Sequence, residues 1–111
     1  MTTSKILQKL ITINSVSGNE AEILEWIKQY LTDLNLESFT IEDNLAVLIK
    51  GKNNCKAIIF NVHLDTVPAG NKSLWKMSPF SGKLVDGKIY GLGASDEKGA
   101  ITSLLLLAEK L

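Results

Sequence analysis

The hydrophobic pattern changes period along the chain. Ile6, Leu7, Leu10 and Ile11 fall at helical spacing and predict a short helix over residues 3–13. Asn14-Ser15-Val16-Ser17-Gly18 breaks that pattern. Ser17-Gly18-Asn19-Glu20 then has the form of a capping box, with Ser at the cap and Glu three residues on. A second helix is predicted from about Asn19 to Leu34, with Ile23, Leu24, Ile27, Tyr30, Leu31 and Leu34 as its apolar stripe and Glu22, Glu25 and Lys28 on the wet side.

From residue 36 the spacing shortens. Glu37 to Glu42 alternates loosely, with Phe39 and Ile41 on one face, and predicts a half-exposed strand. Asp43-Asn44 is a turn signal, Leu45 to Ile49 a second apolar run, and Lys50 to Asn54 a loop. Ala57 to Val62, rich in β-branched residues, predicts a buried strand. Lys83-Leu84-Val85 and Lys88-Ile89-Tyr90 flank Asp86-Gly87, a strong two-residue hairpin signal. The last element, from about Lys98 to Leu111, is apolar round most of its circumference and predicts a helix buried on several sides. Helix, helix, strands, helix points to an α/β fold, a mixed, partly parallel sheet flanked by helices.

Composition narrows the class. The 111 residues suffice for one small domain, and 45% hydrophobic with 22% charged residues fits a globular chain. Twelve basic and twelve acidic residues give zero net charge, so there is no electrostatic case for a nucleic-acid or membrane partner. Leu104 to Ala108 is far too short to span a bilayer, and Met1 to Lys5 lacks the character of a secretory signal. The lone Cys55 excludes an internal disulfide and fits a reducing compartment. A cytoplasmic location is the expectation.

Candidate chemistry centres on the only histidine, His63, in Asn61-Val62-His63-Leu64-Asp65-Thr66-Val67-Pro68. In an extended segment His63 and Asp65 point the same way, so Asp65 can engage one ring nitrogen while the other meets a metal. The alternative is a loop histidine beside an Asp that makes a local turn. Asp96 stands in Gly91-Leu92-Gly93-Ala94-Ser95-Asp96-Glu97-Lys98-Gly99, where a helix should begin. It is a candidate ligand or simply a helix cap. The glycines make no phosphate loop, because the Lys-Ser/Thr pair of that motif is missing. Trp75 and Phe80 read as packed aromatic anchors on a long loop.

Taken in order, His63-Leu64-Asp65-Thr66-Val67-Pro68, Trp75, Pro79-Phe80 and the run from Asp86 to Gly99 resemble a zinc peptidase and deacylase family. It includes acetylornithine deacetylase, succinyl-diaminopimelate desuccinylase, aminoacylase and glutamate carboxypeptidase. Ser15-Val16-Ser17-Gly18-Asn19-Glu20 looks like that family's entry to its second helix. The resemblance implies a two-metal amidohydrolase, usually with zinc, for which cobalt or manganese are further candidates. It implies that His63 and Asp96 are metal ligands, Asp96 bridging both ions, and that Asp65 is the catalytic carboxylate that orients His63. It further implies an N-acyl amino acid or short peptide as substrate, and a full-length homodimer. Two positions depart from the family: Leu92 stands where Arg is common, and Glu97 where Met is common. Neither is a ligand position in the family, so the expected ligand set leaves Glu97 out.

A catalytic zinc needs about three protein ligands plus water, and this chain has one histidine. The family supplies its general base and next ligand as adjacent glutamates further along, then another carboxylate and a late histidine. An inserted second domain serves dimer contact and substrate binding. Residues 1–111 are therefore expected to be the N-terminal part of a metallohydrolase catalytic domain, incomplete and without the second domain. The alternative is a non-catalytic remnant or interaction module of the same fold. The isolated chain is expected to bind zinc weakly and to hydrolyse no amide. Stoichiometric tight zinc together with metal-dependent hydrolysis by the purified chain would refute this.

Overall fold

The computed structural model describes residues 1–53 and 55–111. Helix α1 (Thr3–Thr12) opens where the Thr2 hydroxyl accepts the Lys5 N–H, which satisfies one of the free donors of the first turn. Helix α2 spans Ala21–Asp33. Strands β1 (Ser38–Ile41) and β2 (Asn44–Val47) form one antiparallel hairpin, and β3 (Lys83–Val85) and β4 (Lys88–Tyr90) form another. Helix α3 (Gly99–Lys110) closes the order.

The three helices make the core. Ile6, Leu10 and Ile13 meet Ile23, Ile27 and Leu31 of α2 and Ile101 and Leu105 of α3, all buried. These are the positions the helical period marks, because residues three and four apart share one helix face. Complete burial of each such side chain contributes about 1.5–3 kcal/mol. The sheet pieces sit outside this core. Leu45 and Val47 of β2 are only partly buried against it. The second hairpin docks on α1, where Gln8 Nε2 donates to the Gly82 carbonyl at 2.8 Å. Gly91 lies so close to α1 that a β-carbon there would collide with the Ile11 side chain.

The 83–90 hairpin has the expected register, Leu84 opposite Ile89, and Asp86 and Gly87 take φ of 49° and 75°, as a tight turn between twisted strands requires. Other expectations need correction. The turn between β1 and β2 is Glu42-Asp43, one residue earlier than Asp43-Asn44. Helix α2 begins two residues late because the capping box does not form. Its cap residue, Glu20, makes no side-chain cap bond, and Glu20 Oε1 instead accepts the Gly18 N–H.

The largest correction concerns Ala57 to Val62. This segment forms no strand among the described residues, and Ile58 and Ile59 are 81% and 88% exposed. A strand needs a partner for its N–H and C=O groups, and the two hairpins pair only within themselves. Pairing in both sheets is antiparallel, and the parallel contact present is the isolated bridge Val16–Thr66. The fold is thus a small mixed α/β arrangement of helices and short antiparallel strands. Helix α3 has Ile101, Thr102 and Leu105 buried and its remaining leucines partly covered or exposed, so it is less enclosed than its composition predicts. No helix among the described residues is long and apolar enough to cross a membrane.

Lys98 is the unusual member of the interior. It is 1% exposed, and its Nζ donates to the Ile13 carbonyl at 2.6 Å, tying the start of α3 to the end of α1. Burial pulls its ammonium down to a pKa of about 8.

Two predictions follow from this packing. Leu10→Ala is expected to lower stability by about 2–5 kcal/mol, while Ile59→Ser stays within about 0.5 kcal/mol of the parent, both read from urea unfolding. For Lys98, the folded chain binds fewer protons than the unfolded chain between about pH 8 and about 10.4. Stability should therefore rise with pH, by up to about 1.4 kcal/mol per unit, between about pH 8 and about pH 10.4. Lys98→Met should flatten that rise in the same unfolding series.

Candidate metal centre

The site is assembled from three stretches far apart in sequence. The segment after α1 clasps the segment that carries His63. Thr66 N–H donates to the Ser15 carbonyl at 2.9 Å, and Ser17 N–H to the Thr66 carbonyl at 3.0 Å. The Ser15 hydroxyl donates to the Leu64 carbonyl at 2.8 Å. Val62 and Leu64 turn to the helical core, which leaves His63 facing outward between them. The third stretch is the turn Ala94–Lys98. Gly93 enters it at φ 77°, and a β-carbon there would stand 2.6 Å from the Thr66 side chain. Asp96 and Glu97 leave helical geometry (φ −124° and −139°), and the Asp96–Glu97 peptide is cis.

This turn brings Asp96 to His63. Nε2 of the ring lies 2.9 Å from Asp96 Oδ1. Nδ1 lies 3.0 Å from the Asp65 carbonyl and 3.3 Å from Asp65 Oδ1. Both ring nitrogens face acceptors, which suits the doubly protonated ring; on loss of one proton the two acceptors on Nδ1 favour keeping it there, and the Nε2 lone pair becomes available to a ligand. Asp65 is in turn gripped by Ser17, whose hydroxyl donates to its Oδ2. Asp96 does not cap α3: no side chain caps that helix, and Asp96 is 86% exposed beside the imidazole.

Glu97 was outside the expected set, yet its carboxylate is here. Its Oε1 accepts the main-chain N–H of His63 at 2.7 Å, and its Oε2 lies 3.8 Å from Nε2. His63, Asp96 and Glu97 each present a donor atom within 4.8 Å of the others. The ion pairs among the described residues are those of His63 with Asp65, Asp96 and Glu97.

The electrostatics follow. Partial burial pulls the His63 pKa down. The Asp65 carbonyl, the Asp96 hydrogen bond and the charges of Glu97 and Asp96 outweigh it, so the pKa is raised overall. The Ser17 hydroxyl, ahead of His63, holds the Asp65 carboxyl below its ordinary value. An imidazole ringed by carboxylates attracts a positive charge, whether a proton or a metal ion.

The surrounding cleft, about 550 Å³ and open to solvent, is lined by Ser17, His63, Asp65, Thr66, Trp75 and Asp96 among others. Trp75 combines two roles: its indole N–H donates to the Ala69 carbonyl at 2.9 Å, and its ring walls the cleft. Thr66 is 5% exposed, and its hydroxyl has no hydrogen-bond partner among the described residues. Cys55 is exposed and takes no part in this site.

The sequence marks His63, Asp65 and Asp96 as candidates; Ser15, Ser17 and Glu97, which the fold brings beside them, it does not mark. The serines did carry a signal, a helix break rich in hydroxyls, but it read as a local cap. Glu97 carried none beyond its charge, since neighbours along a chain do not ordinarily share one ligand position.

Residues 59–111 match the model of peptidase family M20/M25/M40. A succinyl-diaminopimelate desuccinylase of Vesicomyosocius okutanii is 33% identical over 112 positions, covering 97% of this chain and 29% of that protein. An uncharacterised metallohydrolase of Methanocaldococcus jannaschii is 35% identical over 125 positions, covering 93% of this chain and 30% of that one. A succinyl-diaminopimelate desuccinylase of Buchnera aphidicola is 35% identical over 105 positions, covering 92% and 27%. The chain spans less than a third of the length of these relatives. Residues 59–111 thus form a segment of peptidase family M20/M25/M40, and the chain as a whole is similar to the N-terminal part of these metallohydrolase relatives.

Proposed function

We propose that this chain is the N-terminal part of the catalytic domain of a divalent-metal amidohydrolase. The full-length protein would hydrolyse the amide bond of an N-acyl amino acid or a short peptide. The observation that carries this reading is the 2.9 Å approach of His63 Nε2 to Asp96 Oδ1, with Nδ1 of the same ring held by Asp65.

The donor chemistry fits a metal. One imidazole nitrogen and nearby carboxylates suit Zn²⁺, with Co²⁺ or Mn²⁺ as alternatives. Thr66, whose buried hydroxyl has no partner among the described residues, lines the same cleft. In this reading His63 and Asp96 would hold the metal. A bound metal pair supplies Lewis acidity, which polarises a scissile carbonyl and acidifies water. The residues of this chain hold and orient. Ser17 fixes Asp65, Asp65 fixes the ring tautomer, and Trp75 walls the space a substrate would enter.

The remaining ligands, the general base, the inserted second domain and the homodimer contact are assigned to polypeptide beyond these residues. A partly parallel sheet belongs to the same proposal, supported by the Val16–Thr66 bridge and the uncovered Ile58, Ile59 and Phe60. A deacylase is favoured over a peptidase because two of the relatives above are desuccinylases. A cytoplasmic setting suits the free, exposed Cys55.

Asp96→Ala in the full-length protein is expected to lower turnover of an N-acyl amino acid at least about 100-fold, since even groups outside the ligand set of a metal are worth about 10–100-fold. Circular dichroism should stay unchanged. Undiminished turnover would refute the role of Asp96, and a parent protein without metal-dependent turnover would favour a non-catalytic module.

A further inference from the structure

We propose that Glu97 is a metal ligand of this chain, its Oε2 joining His63 Nε2 and an Asp96 oxygen as a three-donor set for one divalent cation. The inference rests on the metallohydrolase reading above and adds to it a residue that the motif leaves out.

Three observations carry it. The first is the aim of the carboxylate. Asp96 and Glu97 are adjacent, yet Asp96 is 86% exposed while Glu97 is 29% exposed and turned against the segment that carries His63. Glu97 Oε1 accepts the His63 N–H at 2.7 Å, which pins the group and leaves Oε2 3.8 Å from Nε2. The donor atoms of all three residues fall within 4.8 Å of one another, a spread that ligands about 2.0–2.2 Å from a common ion can span after small side-chain movement.

The second is charge. Asp65, Asp96 and Glu97 surround one imidazole, and the ion pairs among the described residues include no lysine at this cluster. The group is anionic in either protonation state of the ring, so a divalent cation balances it better than a proton does. The third is the Thr66 hydroxyl. Its oxygen is buried and lacks a partner among the described residues, while other atoms of Thr66 line the same cleft, so one polar group beside the site is left unsatisfied.

Two carboxylates and one imidazole form an oxygen-rich donor set that accepts Zn²⁺, Co²⁺ or Mn²⁺. Glu97 has a second consequence for the site. By holding the His63 main chain with one oxygen, it locks two ligand-bearing segments together across the fold, so that the donor geometry is set before the metal arrives.

The test is zinc binding to the full chain by calorimetry. Glu97→Gln keeps an oxygen that can accept the His63 N–H but removes the charged donor. Zinc affinity is expected to fall by about 10–100-fold, with the metal-free unfolding midpoint unchanged. Undiminished affinity in E97Q overturns the proposal. A measurement on the unsubstituted chain covers a variant that fails to fold. The side-chain carboxyl carbon of Glu97 should shift in NMR spectra in step with zinc occupancy, and a carboxyl that does not respond overturns the proposal equally. His63→Ala and Asp96→Asn separate this inference from the reading beneath it. If both bind zinc as the parent does, the metal reading itself fails. If both lose zinc while E97Q keeps it, only the role of Glu97 fails.

Discussion

The clasp between residues 15–17 and 64–66 is the constraint on which the site depends. Main-chain bonds in both directions, and the hydroxyls of Ser15 and Ser17, join segments nearly fifty residues apart. Without the clasp the His63 segment would have no fixed place, because it pairs with no strand among the described residues. With it, Val62 and Leu64 rest on the helices and His63 faces away from them. One short strand-like contact thus converts the burial of two apolar side chains into the aim of a third, polar one.

A second tie completes the arrangement from the opposite side. Lys98 is buried at the base of α3 and bonded to the Ile13 carbonyl, so the turn carrying Asp96 and Glu97 is anchored to the same end of α1 from which the clasp departs. The end of α1 is therefore common to both halves of the site. Burying an ammonium there is unfavourable, and one carbonyl offsets only part of that penalty. The interior accepts the rest in exchange for a fixed turn.

Much of this was legible in the residues. The apolar periods of α1 and α2 and the Asp86-Gly87 hairpin are local matters, decided by which side chains share a face and by which residues tolerate positive φ. His63, Asp65 and Asp96 could be singled out as candidates by residue type and spacing, and the ordered motifs that resemble a known family gave them their expected roles. The segment Ala57 to Val62 shows where such reading ends. Its β-branched run declares a preference for pairing, but pairing needs a partner, and preference alone cannot supply one. Ser17 failed for the opposite reason. Its hydroxyl had a plausible local use as a cap, and a more favourable long-range acceptor in Asp65 took it instead.

The sequence by itself determined the helices, the second hairpin and the residue types that can hold a cation, because these depend on near neighbours and on intrinsic side-chain chemistry. Only the tertiary structure decided which carboxylates meet the histidine. The turn at Gly93 and the departure of Asp96 and Glu97 from helical geometry place two consecutive acidic side chains on one imidazole. A regular helix would have fanned them about 100° apart. That convergence depends on how the turn packs against Thr66 and how Lys98 ties it to Ile13, contacts between distant segments that no local pattern encodes.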